Sequence, residues 1–239
     1  MTIPAVSKQL ARRNRILAAL PDVEFARLLP HLESVHLEKG EIVYLTGDEI
    51  QYVYFLESGL LSFLSTTETG STIEVAMVGN EGIAGLPVIL RNRITPYEVV
   101  VQFASEAFKL RAELLQEEFS RGETLQEWVL RYINVLMVQV AQSSICNRFH
   151  SFEQTLSRWL LTVQDRVNSD SLNLTHETIA HALGVPRTAV TMAAGTLQRA
   201  GIIRYSRGKI SILDHSKLEA NSCECYRIIS NELRQFNSV

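Results

Sequence analysis

The chain has 239 residues with a formal net charge of -3, and 46% of its residues are hydrophobic while 21% are charged. This balance is typical of a globular protein with room for one large or two moderate domains, and it excludes a polycation that binds nucleic acid along its whole length. No apolar run reaches the length of a membrane span, and the N-terminus lacks the pattern of a secretion signal. We therefore expect a cytoplasmic protein without a membrane partner.

The cysteines do not predict a disulfide framework. There are three of them, Cys146, Cys223 and Cys225, which is an odd number for pairing in a reducing compartment. The Cys223-x-Cys225 pair has no His or further Cys near it in the sequence, so a tetrahedral metal site is incomplete. We expect reduced thiols, and the sequence predicts neither a metal nor a cofactor.

Glycine-separated runs of β-branched and aromatic residues fill the first half of the chain, after a short helical lead with apolar residues from Leu17 to Leu32. Short strands with turn residues between them predict an all-β barrel or roll. The runs are IVYL after Gly40, YVYFL after Gly47, LLSFL after Gly59 and IEVAMV after Gly70, followed by VVVQF and AFKL.

Residues 112–149 have a helical pattern without proline, with Gly122 as their one glycine. Apolar residues recur there with the four-three alternation of a two-stranded coiled coil, which predicts a long helix that pairs with a second copy of itself. The same stripe can instead pack on its own β-roll, and the two packings can use different faces. The predicted dimer seam is Val129, Ile133, Leu136, Val140 and Ser143.

A helix-turn-helix pattern followed by a hairpin fills residues 174–213. Thr175 has the side chain of a helix N-cap, Gly184 suits a left-handed helix end, and Pro186 suits the start of a second helix. Two short apolar runs flank Arg207 and predict a two-stranded wing. Proteins of this kind place the second helix in the major groove of DNA, so the pattern predicts a DNA-binding domain.

Local charge supports that prediction. Residues 178–213 contain several basic side chains and no Asp or Glu, although the whole chain is acidic. Lys and Arg release counterions from the DNA backbone, so a focused positive surface favours phosphate binding; a solvated basic face is the alternative. The outward residues of the second helix are Arg187, Thr188, Thr191 and Met192, and the further basic residues are Arg199, Arg204, Arg207 and Lys209.

The order of these parts resembles the Crp/Fnr family, the cyclic-AMP receptor proteins and fumarate-nitrate regulators of bacteria. The resemblance is most specific in GDEIQYVYFLESGLL and ETIAHALGVPRTAVTMAAGTLQRAGII. It implies an α+β fold with a cyclic-nucleotide-binding-like β-roll, and a homodimer that binds a two-fold promoter site through the helix around 186–198 and acts on RNA polymerase. We assign residues 1–111 to the sensor domain, 112–149 to the dimerisation helix, 150–225 to the winged helix-turn-helix and 226–239 to a C-terminal tail, expected to be a terminal helix.

The resemblance assigns DNA contacts where its motif holds. Arg187 stands where the family presents an arginine to guanine, whose O6 and N7 it can bind together. Thr175 and His176 match positions that hold the DNA backbone. Thr188 stands where the cyclic-AMP receptor usually has a glutamate, and Met192 where it usually has a second arginine. The operator should therefore differ from that receptor's site.

The sensor half departs from the cyclic-nucleotide-binding members. Their phosphate cassette needs a glutamate for the ribose hydroxyl and an arginine for the phosphate charge. In this chain Ile83 and Ala84 stand near the place of the glutamate, and Tyr97 stands near that of the arginine. Arg91 and Arg93 precede the strand and would have to swing in from a loop. These residues line the candidate ligand pocket, and we expect its signal to be something other than cyclic AMP.

Other classes fit the sequence less well. An iron–sulfur sensor of this family needs several cysteines near the N-terminus, whereas the first one here is Cys146. Haem ligation is open only through His31 or His36. The chain has no G-x-S-x-G, H-E-x-x-H or paired C-x-x-C motif, so we predict that it is not an enzyme. A small-ligand signalling module without a promoter role is the alternative function, but it leaves the acid-free wing unexplained.

Overall fold

The computed structural model describes residues 13–238 of the chain. The chain divides into two compact units. The first contains the residues up to Phe63 together with Met77–Asn134, and the second contains Leu64–Ala76 together with Val135–Val239. The expectation of no secretion signal concerns the N-terminal residues that lie outside the described part.

The predicted β-roll is present as two four-stranded sheets. The strands are β1 (Glu33–Leu37), β2 (Ile42–Tyr44), β3 (Tyr52–Leu56), β4 (Leu60–Thr66), β5 (Thr72–Val78), β6 (Ile83–Ala84), β7 (Glu98–Phe103) and β8 (Ser105–Arg111). Their order is β1-β8-β3-β6 in one sheet and β2-β7-β4-β5 in the other. Each apolar run named in the sequence coincides with a strand, whereas β1 and β6 have no such run and were not predicted.

The fully buried side chain of Asn14 connects the helical lead to the β-roll through hydrogen bonds. The Asn14 side chain caps the first helix by accepting from the backbone amides of Ile16 and Leu17. Its Nδ2 donates to the carbonyls of Leu56 at 2.9 Å and Gly82 at 2.7 Å. The lead consists of α1 (Arg15–Ala19), α2 (Asp22–Leu28) and a short 3-10 turn, Leu29–His31.

The helix predicted for residues 112–149 is interrupted. It consists of α3 (Ala112–Ser120) and α4 (Thr124–Phe149), and Gly122 between them has a φ of 74°. Glycine enters this left-handed region cheaply, but a residue there cannot continue a right-handed helix. The prediction of one unbroken helix was wrong for this reason.

The composition of α4 corrects a second expectation. Helix α4 is long enough, and its most apolar stretch is apolar enough, to cross a membrane by length and composition alone. No run of that kind was expected from the sequence. A single such helix is weak evidence for insertion, because core helices of proteins that never meet a membrane pass the same test.

The second unit is built around α5 (Phe152–Val167), which begins at a capping box formed by Ser151 and Gln154. Helices α7, α8 and α9 contact α5. The boundary predicted between residues 225 and 226 falls inside α9, so the tail is helical as expected but starts earlier. The other elements are β9 (Ser171–Leu172), α6 (His176–Leu183), α7 (Arg187–Arg199), β10 (Ile203–Ser206), β11 (Lys209–Ile212), α8 (His215–Asn221) and α9 (Glu224–Asn237).

Candidate nucleic-acid interface

The helix-turn-helix is formed by the local chemistry that the sequence predicts. Thr175 is the N-cap of α6, and its Oγ1 accepts from the Thr178 amide at 3.0 Å. Gly184 ends α6 with a φ of 63°. Pro186 is the N-cap of α7 and leaves the first turn without a side-chain cap. The exposed start of α6 and the uncapped start of α7 therefore offer backbone amides to an anion.

One face of α7 is buried and the other is open to solvent. Val190, Ala193, Ala194 and Leu197 are at most 2% exposed. The opposite face carries all four predicted outward residues, and we call this set the DNA face. It consists of Arg187, Thr188, Thr191 and Met192.

Arg187 stands at the first position of α7, where the helix dipole opposes a cation. Its side chain is 68% exposed, and its Nε lies 3.9 Å from Oε2 of Glu177, which is itself 78% exposed. An exposed ion pair at that distance contributes little to stability. Arg187 therefore destabilises the start of α7, and its guanidinium is available to a hydrogen-bond acceptor outside the chain.

The wing is a tight hairpin with a basic tip. Ser206 pairs with Lys209 across the strands, so Arg207 and Gly208 form a two-residue turn. Their φ values of 49° and 78° match a type I′ turn, which is favoured in such hairpins but strains a residue with a Cβ. A Cβ on Gly208 would lie 3.4 Å from Cγ2 of Thr175, so the wing turn stands beside the start of α6.

His176 is the first residue of α6, as predicted, but its side chain is turned into the domain. Its side chain is 7% exposed, and its ring stacks on Tyr205 with 3.9 Å between centroids. His176 Nδ1 lies 3.0 Å from Oγ1 of Thr191, which donates its own proton to the Arg187 carbonyl at 3.0 Å. His176 Nδ1 is therefore the donor in that contact. The residue joins α6 to α7 and the wing, and its burial leaves the ring little surface for a DNA phosphate.

The remaining basic residues extend the positive surface along α7 and the wing. Arg199 donates from Nη2 to Oγ1 of Thr196 at 3.1 Å in the last turns of α7. Thr196 is exposed and was not predicted as a site residue, although it stands four residues after Met192 and shares its face. Arg204 and Lys209 are exposed on the wing.

The candidate ligand pocket is only partly brought together. Ile83 and Ala84 are fully buried in β6, where they pair with β3. A Cβ on Gly82 would lie 2.0 Å from the ring of Tyr132, so this ring from α4 covers the backbone just before β6. Tyr97 is half-buried with its ring edge-on to Phe63. Protein side chains, rather than free space, surround the start of β6.

The two candidate arginines of the pocket differ in their surroundings. Arg91 is exposed and ends a short 3-10 helix with a φ of 60°. Arg93 forms an ion pair with Glu113, and its Nε lies 3.3 Å from Glu49 Oε1. The hydrogen bond from Arg93 holds the pKa of the Glu113 carboxyl below its usual value. Arg93 already has two carboxylate partners within its own domain, so it would have to leave them to bind a phosphate.

The histidines kept open for haem are both exposed. His31 ends the helical lead. His36 is 50% exposed, and its Nδ1 lies 2.6 Å from Glu106 Oε1. The hydrogen bond to Glu106 raises the pKa of His36. These contacts are those of a surface ion pair.

The residues of the predicted dimer seam lie only partly on the exposed face of α4. Val129 is fully buried, so it packs inside its own chain and cannot meet a second one. Ile133, Leu136 and Ser143 are half-buried, and Val140 is 41% exposed. The exposed apolar stripe instead consists of Leu130, Ile133, Met137, Val140 and, at its polar end, Ser144.

Comparison with known proteins agrees with this architecture. The Crp-like helix-turn-helix domain family matches residues 154–221, and the cyclic nucleotide-binding domain family matches residues 34–121. The Global nitrogen regulator of Synechococcus elongatus is 24% identical over 215 residues, which cover 86% of this chain and 96% of that protein. The Fumarate and nitrate reduction regulatory protein of Vibrio cholerae is 22% identical over 196 residues, covering 76% of this chain and 75% of that protein.

A solved structure shares the fold across most of the chain. The structure of a transcriptional regulator of the crp/fnr family from Eubacterium rectale superposes with a TM-score of 0.69 at 21% identity, covering 89% of this chain and 97% of that one. The two matched domain families follow one another in the order that the sequence predicts. The chain belongs to the Crp/Fnr family of transcription regulators, which are DNA-binding proteins and not enzymes.

Proposed function

We propose that the chain acts in the cytoplasm as a homodimer that binds a two-fold promoter site through α7. We also propose that its β-roll responds to a signal other than cyclic AMP. The observation that carries the proposal is Arg187, which is exposed at the start of α7 with no strong ion pair. Regulation through contact with RNA polymerase is part of the same proposal. A transcription assay with the purified polymerase tests that part.

The DNA face supports a site that differs from that of the cyclic-AMP receptor. Arg187 can bind a guanine through two hydrogen bonds, a contact worth about 1–3 kcal/mol of discrimination. Met192 is 73% exposed and offers only apolar contact, which suits a thymine methyl. Thr191 has its hydroxyl engaged with His176 and the Arg187 carbonyl, so its methyl group is the part left for DNA.

The wing supports backbone contacts beside the groove. Arg207 stands at the tip of the hairpin, Lys209 follows it, and both are exposed. The wing turn lies beside Thr175 at the start of α6, where backbone amides also attract anions. These groups bind phosphates without reading sequence, so they set the position of α7 and the salt dependence of binding.

The exposed stripe of α4 supports a parallel helix pair. Leu130, Met137 and Val140 are 50%, 66% and 41% exposed, and Ile133 lies between the first two. Their spacing of three and four residues is that of a coiled-coil seam. Large apolar side chains in this pattern favour burial against a second copy. Such a pair would set two α7 helices about one DNA turn, about 34 Å, apart.

The β-roll supports a signal other than cyclic AMP. Arg93 is engaged with Glu49 and Glu113, and Tyr132 covers Gly82 next to the place where the family's cassette would bind. Binding a cyclic nucleotide there would require breaking two ion pairs and displacing an aromatic ring. Those costs disfavour the usual mode of nucleotide binding.

The experiment is a gel-shift selection with the full chain and fragments of its own genome, followed by titration at several salt concentrations. We expect salt-sensitive, sequence-selective retention of fragments with a two-fold site. Arg187→Ala should lower affinity for the selected site about 10- to 100-fold and bring it toward the affinity for random DNA. Arg227→Ala, which removes an exposed arginine from α9, is the matched control. Equal retention of all fragments, or equal behaviour of the two variants, would refute the proposal.

A further inference from the structure

The structure brings together side chains that the sequence keeps far apart. In the sequence, Cys223 and Cys225 have no His or further Cys near them. In the fold, Cys146 and His150 at the end of α4 meet them, and the ligand atoms of all four residues lie within 4.8 Å of one another. The sequence predicted reduced thiols with an incomplete ligand set, and the fold adds a third cysteine and a histidine to that set. We call these four residues the cysteine cluster.

We propose that the cysteine cluster is a structural zinc site in which three thiolates and the Nδ1 atom of His150 bind one Zn²⁺. The four ligand atoms lie within 4.8 Å of one another, and two of their separations match those around a single tetrahedral ion. With Zn–S bonds of about 2.3 Å and a Zn–N bond of about 2.0 Å, tetrahedral ligands lie about 3.5–3.8 Å apart. Here Sγ of Cys146 and Sγ of Cys223 are 3.5 Å apart, and Sγ of Cys225 is 3.6 Å from Nδ1 of His150.

The backbone presents the ligands in two compact pairs. Cys146 lies in the last turn of α4 and His150 follows the helix directly, with its amide donating to the Cys146 carbonyl at 3.2 Å, so the two side chains share one side. Cys223 is the N-cap of α9 and Cys225 lies in its first turn. The positive end of a helix favours thiolates, which are the form that binds zinc.

The surroundings of the cluster complete the chemistry of a zinc site. Nε2 of His150 lies 3.3 Å from Oε1 of Glu224, and a carboxylate at that nitrogen orients a metal-bound histidine and fixes its tautomer. Buried Arg158 donates from Nε to Sγ of Cys146 at 3.3 Å. Three thiolates and a neutral histidine give the zinc complex a formal charge of minus one, which the Arg158 guanidinium offsets. All three cysteines are buried, so water has little access to the proposed ion.

The consequence for the fold is a link between the end of α4 and α9. Within the second unit the end of α4 and the first turn of α9 are otherwise joined by the His150–Glu224 pair and by thiol contacts, which are weak hydrogen bonds. A bound zinc replaces them with metal–ligand bonds. The proposal concerns a structural ion and does not depend on which DNA the protein binds.

The test is the zinc content of the full chain, purified with a reductant and dialysed without a chelator. We expect about one zinc per chain, and after replacement by Co²⁺ the thiolate charge-transfer and visible bands of a tetrahedral site. Cys225→Ser and His150→Gln should lose most of the bound metal. His181→Gln, which removes an exposed histidine from α6, is the matched control and should keep it.

A second measurement needs no variant and so does not depend on how well the variants fold. Alkylation of the native wild-type chain should be slow, and a strong chelator should release zinc and make the thiols reactive together. Several outcomes would overturn the proposal. They are a chain that holds no zinc and gives no Co²⁺ spectrum, unchanged zinc content in both cluster variants, iron with visible absorption in place of zinc, or a Cys146–Cys223 disulfide without metal.

Discussion

Replacing His176 by alanine should weaken the DNA-binding unit from within. The side chain is buried, stacks on Tyr205 and donates to Thr191, so truncation removes its interactions with both α7 and the wing. A buried hydrogen bond contributes about 1 kcal/mol, and an aromatic stack adds about 0.5–1.5 kcal/mol. With the space left behind, we expect a decrease of about 2–3 kcal/mol in the free energy of unfolding of this unit.

A pair of threonine variants on α7 separates the hydrogen bond from the stack. Thr191→Val keeps the shape of the side chain but leaves Nδ1 of buried His176 without its acceptor, which should cost about 1–2 kcal/mol. Thr188→Val makes the same change on the exposed face and should change stability by less than about 0.5 kcal/mol. Amide hydrogen exchange of peptides from α6, α7 and the wing in the full chain measures both effects locally.

The pH dependence provides an independent check on the same residue. Burial, and then the charge of Arg187, lowers the pKa of His176 below its usual value. In the folded chain the ring therefore stays neutral at a pH where the unfolded chain has taken up a proton. Its contribution to stability is fully present above the unfolded pKa, about 6.5, and is lost as the pH falls below it. The His176→Ala variant should lack this part of the pH dependence.

The opposite pattern would refute this account of His176. If His176→Ala left exchange rates unchanged but reduced the salt dependence of DNA binding, the side chain would bind a phosphate, as the resemblance implied. The slope of log affinity against log salt falls in magnitude by about 0.9 for each phosphate that the protein no longer neutralises. We expect instead that the slope changes little while both specific and non-specific binding weaken through displacement of the wing.

Four further predictions concern other parts of the chain. Arg207→Asn should keep the wing turn, since Asn tolerates the left-handed region, yet weaken binding to all DNA sequences and lower the salt slope by about 0.9; an unchanged slope would argue against a phosphate contact. Met137→Glu should dissociate the dimer in sedimentation, whereas Asn147→Glu on the same helix should not, and a stable Met137→Glu dimer would place the interface elsewhere. Burial raises the pKa of Glu57 to about 7, so stability should fall as the pH rises from about 4.5 to 7, and Glu57→Gln should gain about 1 kcal/mol at pH 8; a variant with the same pH profile as wild type would contradict this. Saturating cyclic AMP should leave the melting temperature unchanged, because any ligand bound only by the folded state must raise it.

The features that the sequence predicts well are those decided by near neighbours. Thr175 and Gly184 were placed correctly at the ends of α6, since a cap depends on backbone groups within four residues. The apolar runs were correctly predicted as strands, because the alternation and the turn residues that mark a strand lie within it or directly beside it. β6 was missed because two residues, Ile83 and Ala84, carry no period of their own and are a strand only through pairing with β3.

Long-range proximity explains the larger errors. Cys146 is 77 residues from Cys223, so no spacing rule for metal ligands could join them. The predicted dimer seam mixes two stripes of α4 that have nearly the same period, since Val129 is buried in the chain whereas Ile133 and Val140 belong to the exposed stripe. One of them, with Val129 and Tyr132, packs into the chain's own core, and the other, with Leu130 and Met137, is exposed. Periodicity alone cannot say which stripe a neighbouring domain covers.

Arg187 and His176 show how burial separates two residues that the same motif assigns to DNA. His176 is stacked on Tyr205 and hydrogen-bonded to Thr191 through Nδ1, although its buried Nε2 has no hydrogen-bond partner, so contacts inside the domain hold its ring. Arg187 satisfies none of its local preferences, because it is a cation at the positive end of a helix with only a distant carboxylate nearby. Because its side chain is 68% exposed, Arg187 can exchange water for an acceptor outside the chain. We propose that this partner is DNA, either a phosphate or the acceptor atoms of a guanine at the start of α7.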